Sequence, residues 1–182
     1  MTRRSRGLLS SSTPNPDPVT ALRIGIAGLG TVGSGVLRLL QAQHDLLSVR
    51  TGRPIEVVAV SARDRGKPRD SDLSACRWLD DPVGLASAAD VDVVVELIGG
   101  DEGPARKLVE AALANGKSVV TANKALLARH GVALARLAEA NDVTLAYEAS
   151  VCGGIPIIKG LREGLAGNAV SELHGILNGT CN

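Results

Sequence analysis

The chain has 182 residues, 45% of them hydrophobic, and a net charge of +1, which is room for one ordinary domain and the start of a second, with no pull toward nucleic acid or an anionic membrane. Phe is absent and Trp and Tyr occur once each, so the core must be Val, Leu, Ile and Ala, with no aromatic platform for single-stranded nucleic acid. No apolar run spans a bilayer, and the scattered Cys76, Cys152 and Cys181 lack the spacing of a zinc site or disulfide framework, which fits a cytoplasmic protein.

Residues 1–20 are basic, then rich in Ser and Pro, and read as a disordered tail, although a transit peptide shares that Arg and Ser content. From Ala21 onward the pattern is regular. Ile24, Ile26 and Ala27 form a buried strand that runs into glycines. Val32, Val36, Leu39 and Leu40 then recur at helical spacing, and Leu47 extends the stripe. Ile55–Ala62 is a second strand, followed by a charged loop. Asp81 as N-cap and Pro82 at the first helical position open a short helix. The run Val91–Gly100 is another buried strand, ending in two glycines. Pro104 starts a helix that Asn115 and Gly116 stop.

The stretch Lys117–Lys124 reads as a strand and Ala125–Asn141 as a helix weakened by Gly131. Val143–Ser150 is a strand, Pro156 starts a helix, and Ala169–Gly179 is the last strand. Strands alternating with helices predict an α/β fold, a doubly wound parallel sheet of Rossmann type covered on both faces.

The first turn carries Gly28-x-Gly30-x-x-Gly33 between a strand and an apolar helix, the context a dinucleotide fingerprint requires. In that reading Gly28 permits the tight turn, Gly30 admits the pyrophosphate, and Gly33 lets helix and strand pack closely. The fingerprint then calls for an acidic residue after the second strand, to hold the ribose hydroxyls. Ser61 and Arg63 stand there instead, and Asp64 lies beyond the basic side chain. An Arg suits a 2′-phosphate, which predicts NADP over NAD; a solvated basic loop is the plain alternative.

Thr121, Asn123 and Lys124 follow a strand's carboxyl end, the edge where such sheets hold ligands. A cation is disfavoured at a helix start, so Lys124 is either a surface charge or placed for an anionic ligand or a reacting carbonyl. Glu96 sits in an otherwise apolar strand and needs partners, and Gly99 and Gly100 leave space for a flat ring. Glu148 precedes the small-residue turn Cys152-Gly153-Gly154, which reads as a glycine-rich turn with a capping role or, with the Glu148 carboxylate and backbone carbonyls, as a cation site. Cys152 has no His near it in sequence and is not read as a nucleophile.

Together the segments GIAGLGTVGSGV, VVELIGG, VVTANKALLA, YEASVCGGIPII and GILNGTCN, in that order, resemble homoserine dehydrogenase from Ala21 to Asn182. The resemblance implies an NAD(P)-dependent oxidoreductase that interconverts L-homoserine and L-aspartate 4-semialdehyde, on the route to threonine and methionine. It implies that Lys124 is the active-site lysine, and that Thr31 and Val32 join the glycines under the pyrophosphate. A sodium site of Glu148, Val151, Gly153 and Ile155 and substrate contacts from Gly179 and Thr180 are implied as well. The layout it implies is an NAD(P)-binding domain over 21–155, then a connecting helix and strand over 156–182. These lead into a substrate and dimerisation domain that follows in the family, so the chain reads as a piece cut at its start. A homodimer is expected only of the full-length protein. The alternative is a non-catalytic dinucleotide-binding or redox-sensing module.

Overall fold

A computed structural model describes residues 20–175; the rest of the expected tail, and the stretch from Ile176 onward, lie outside the described residues. Six strands form one parallel sheet: β1 (Leu22–Ala27), β2 (Ile55–Ser61), β3 (Arg77–Trp78), β4 (Val93–Glu96), β5 (Ser118–Thr121) and β6 (Leu145–Ala146). Their order across the sheet is β3-β2-β1-β4-β5-β6. The chain winds outward from β1 in one direction, then returns to β4 and winds outward in the other. The carboxyl ends of β1 and β4 therefore splay apart into a crevice, because their following connections leave on opposite faces.

Side chains alternate between the two faces, as the pleat dictates. On β4, Val95 joins Ile26, Leu37 and Val60 in one apolar cluster. Val94 joins Leu85, Leu108, Leu113 and Leu126 in the other. The first cluster is covered by α1 (Thr31–Ala42), with α2 (His44–Thr51) beyond it. The second is covered by α3 (Gly84–Ser87), α4 (Pro104–Ala114) and α5 (Lys124–Ala140).

The punctuation residues fall where local chemistry places them. Pro104 opens α4, where its missing N–H costs nothing, and Gly116 takes a φ of 71° just past the end. Asn123 caps α5, accepting Leu126 N–H at 3.1 Å. Gly131 does not interrupt α5.

Four expectations need correcting. The helix after the glycine turn is two helices, broken at Gln43, and its buried contact is Leu37, while Val32 and Leu39 are more than half exposed. The segment 143–150 pairs only through Leu145 and Ala146, opposite Val119 and Val120 of β5, and then tightens into a 3-10 turn at Glu148–Ser150. The helix after Pro156 is α6 (Ile157–Lys159), which widens at once into a π-type turn over Gly160–Gly164. Residues 169–175 are exposed and enter no ladder, so the described part of the expected last strand is not a strand. The short strand β3 has no two-residue period to announce it. Its Trp78 sits beside Val60 through pairing with β2.

At the amino end of the sheet Arg23 grips Asp92 through two side-chain bonds, of 2.6 and 3.1 Å, and donates its own N–H to the same carboxylate at 2.9 Å. This ties β1 to the start of β4. The Arg23 hydrogen bond holds the Asp92 carboxyl below the usual carboxylate range. A depressed carboxyl contributes stability above its unfolded pKa and loses it as pH falls through the folded value. The difference in Tm between the protein and Asp92→Asn is therefore expected to be largest near neutrality and to shrink below about pH 4. A difference that stays constant with pH would contradict the assignment.

Candidate functional site

The turn between β1 and α1 is shaped by two close backbone contacts. Gly28 has a φ of 97° and donates its N–H to the Ser61 carbonyl at 2.8 Å; a Cβ there would lie 2.4 Å from the Leu97 carbonyl oxygen. At Gly33 a Cβ would lie 1.9 Å from the Gly28 carbonyl oxygen. Only glycine fits either position. Gly30 is different: a Cβ there meets nothing within 4 Å. It faces open space at the start of α1, which has no side-chain cap. The first helical bond runs from Ser34 N–H to the Gly30 carbonyl, so the N–H groups of Thr31, Val32 and Gly33 precede it at a positive helix end. This is a cradle shaped for an anion.

A cleft of about 590 Å³ opens from that cradle. Gly28 and Gly30 line it from the turn, Ser61 and Arg63 from the end of β2, and Leu97 and Ile98 from the end of β4. Its size suits a small-molecule ligand. Four of the sequence-predicted cofactor residues thus share one cavity. Thr31 and Val32 are exposed next to Gly30 and Gly33 is buried, and none of the three is in the cleft wall.

Sequence reasoning missed Arg69, Asp80 and Pro82, which also line the cleft. Arg69 donates to the carbonyls of Asp64 at 2.6 Å and Lys67 at 2.8 Å, and its guanidinium lies 5.3 Å from the centre of the Trp78 ring. Arg65 also lies over that ring, at 5.8 Å. The charged loop is thereby folded back onto β3. Its basic composition was visible, but nothing local to it announced the lone Trp that anchors it.

At the ends of β4 and β5 the polar residues form one connected network. Glu96 is fully buried. Its Oε1 accepts from Ile98 N–H at 2.8 Å and Gly99 N–H at 3.1 Å, and its Oε2 accepts from the Thr121 hydroxyl at 2.6 Å. Thr121 Oγ1 in turn accepts Asn123 N–H at 3.1 Å, and Asn123 Nδ2 donates to the Gly100 carbonyl at 2.6 Å. The partners expected of Glu96 are therefore backbone and hydroxyl. Ser150 extends the network, donating to the Thr121 carbonyl at 2.8 Å. Lys124 is the first residue of α5, exposed, with no ion pair among the described residues. Gly99, Thr121 and Lys124 lie along this edge rather than in the cleft wall.

The turn after β6 is a separate place. Glu148 accepts Ile158 N–H at 2.9 Å and Lys159 N–H at 2.8 Å, one on each oxygen, and so caps the start of α6. The carbonyls of Val151 and Gly153 take no backbone hydrogen bond among the described residues, while that of Ile155 accepts Ile157 N–H at 2.8 Å. No cluster of three or more His, Cys, Asp or Glu is placed to hold a metal among the described residues. Cys76 and Cys152 are free thiols. Gly179 and Thr180 lie outside the described residues.

No helix among the described residues is long and apolar enough to cross a membrane. The family model described as the homoserine dehydrogenase NAD-binding domain matches residues 28–148, from the first glycine of the turn to Glu148. Curated homoserine dehydrogenases from Corynebacterium glutamicum and Neisseria gonorrhoeae are 46% and 47% identical to the chain over 94% and 88% of its length. The chain spans only 38% and 37% of those two relatives. A crystal structure of a homoserine dehydrogenase from Thiobacillus denitrificans superposes with a TM-score of 0.74 at 44% identity, covering 82% of this chain and 34% of that one. The glycine turn, the switch-point cleft and these likenesses agree, and the chain belongs to the homoserine dehydrogenase family, of which it carries the NAD-binding domain.

Proposed function

We propose that this chain is the cofactor-holding part of an oxidoreductase that interconverts L-homoserine and L-aspartate 4-semialdehyde, a cytoplasmic step toward threonine and methionine. The observation that carries the reading is the open cradle at Gly30, flanked by two glycines that the fold itself requires. A pyrophosphate laid there would meet the N–H groups of Thr31, Val32 and Gly33, and Gly28 would border it. The bound dinucleotide would supply the hydride chemistry.

Ser61 and Arg63 border the side of the cleft reached from β2, where the adenosine ribose of a dinucleotide lies in this fold. Arg63 gives a 2′-phosphate a planar charged fork, which supports NADP as the preferred form; NAD remains the cofactor if the fork is unused. Gly99, Thr121 and Lys124 mark the nicotinamide end. Thr121 serves it from beneath, since its hydroxyl is already given to Glu96. Lys124 would stand near the reacting carbonyl, stabilising developing charge on the oxygen or passing it a proton. Gly179 and Thr180 are proposed to touch the small-molecule substrate, and a second copy is proposed as the partner of the full-length protein. Residues 1–182 alone are expected to bind dinucleotide and turn over little homoserine, because the relatives devote most of their length to parts this chain does not span. Full activity from these residues would contradict that.

Sodium is proposed at Glu148, Val151, Gly153 and Ile155. The donors are hard oxygens carrying one charge, and the bonds to Glu148 and to Ile155 leave each of those oxygens a second lone pair. Bound there, the ion would brace the turn that follows β6.

Dinucleotide titration of purified residues 1–182 tests the cradle. Gly30→Val is expected to weaken binding at least about tenfold with little change in Tm, since its side chain enters open space. Gly33→Ala is expected to lower Tm first, because the backbone must move. Equal binding by wild type and Gly30→Val would remove the pyrophosphate from this turn.

For Arg63→Ala the expected change is a loss of about tenfold in NADP affinity with NAD affinity unchanged. Equal affinity for both cofactors, unaltered by the substitution, would end the NADP assignment.

Replacing potassium chloride by sodium chloride at constant ionic strength is expected to raise Tm, and Glu148→Gln to abolish the difference. Identical melting in the two salts would contradict the sodium site.

A further inference from the structure

Glu96 is a fully buried acidic side chain that does not itself line the cleft. Both of its oxygens act as acceptors, which is the bonding pattern of an ionised carboxylate. All three donors are neutral: two backbone N–H groups and a hydroxyl. No Lys, Arg or His pairs with it among the described residues; its neighbours along the sheet are Ala27 and Thr121. Thr121 Oγ1 accepts Asn123 N–H and gives its own proton to Glu96 Oε2. Donors run toward Glu96 from every side, and the charge is left without a counter-charge of its own.

A buried anion without a cation is costly, and proteins keep one where it serves a site. Glu96 ends β4 at the crevice, its Oε1 holds the N–H groups of Ile98 and Gly99, and Leu97 and Ile98 form the cleft wall on that side. The Leu97 carbonyl of the same loop is the atom packed against Gly28. The cavity therefore has one wall that carries a fixed negative charge just behind its backbone. Of the two redox forms of a nicotinamide dinucleotide, only the oxidised one carries a positive ring.

We propose that Glu96 is a positioning residue that holds the Leu97–Ile98 wall of the cofactor site and, through its buried negative charge, biases that site toward the oxidised, cationic dinucleotide. This rests on the dinucleotide reading above. The nicotinamide half must lie over the β4 end, as the cradle on α1 and the Arg63 side of the cleft require if the two halves occupy opposite sides of the switch point.

The test is the dissociation constant of residues 1–182 for NADP⁺ and for NADPH, measured in wild type and in Glu96→Gln. The expected result is that Glu96→Gln weakens NADP⁺ relative to NADPH by about tenfold, since removing one buried charge is felt by the cationic ring alone. Thr121→Val keeps the charge but deletes one support of the network. It is expected to weaken both forms together and leave their ratio at the wild-type value. If Glu96→Gln fails to fold, judged by circular dichroism, a changed ratio in Thr121→Val overturns the proposal. A ratio unchanged in a folded Glu96→Gln also overturns it and leaves Glu96 a purely structural brace. If wild type binds neither form, the dinucleotide reading itself fails, an outcome distinct from the other two.

Discussion

The domain depends on how closely two strand ends and a helix start can approach at the carboxyl edge of the sheet. Gly28 lies against the Leu97 carbonyl, and Gly33 lies against the Gly28 carbonyl. These contacts bring the turn after β1, the start of α1 and the loop after β4 into a single unit. Any side chain at either glycine would pry that unit apart. Because they are so tight, the space in front of Gly30 stays both empty and well defined. The cleft is what remains when the backbone around it has been packed to its limit.

A second layer holds the same edge from below. Glu96 gathers the loop after β4 and the end of β5, Asn123 joins that loop to the start of α5, and Ser150 binds the turn after β6 to Thr121. Lys124 is thus the first helical residue beyond a fully satisfied polar network. Such a network fixes positions because each broken bond would leave a buried polar group unpaired. Outside it, on α5, Arg129 reaches Asp101 at 2.8 Å and His130 reaches Glu102 at 2.9 Å, holding the loop into α4.

Much of this was legible in residue order, and the reasons are local. The α4 boundaries could be read from Pro104 and Gly116 because those residues act through their own backbone geometry. The roles of Gly28 and Gly33 followed from the spacing, since the turn needs them whatever surrounds it. The burial of Glu96 followed from the apolar strand that contains it. The misses are all tertiary. Leu37, not Val32, is the residue of α1 buried against the sheet, and which face a helix turns inward is decided by packing. The segment 143–150 has strand composition, but only Leu145 and Ala146 pair with β5 before the chain tightens into a turn at Glu148. Arg69 enters the cleft wall through Trp78, whose position comes from pairing with β2, far from it in any sequence window. Glu148 caps α6 through residues ten and eleven positions ahead, a contact that only the folded turn brings about.

The central claim is that the anion cradle at α1 and the walls after β2 and β4 form one dinucleotide site. Backbone amide NMR of the isotope-labelled chain during titration with NADP⁺ tests it most directly. The account predicts shifts concentrated at Gly30 to Gly33, at Ser61 and Arg63, and at Leu97 to Gly99, all with one saturation curve. Saturable shifts confined to another surface, such as the groove between α4 and α5 around Ala111 and Leu134, or no shifts at all, would contradict it.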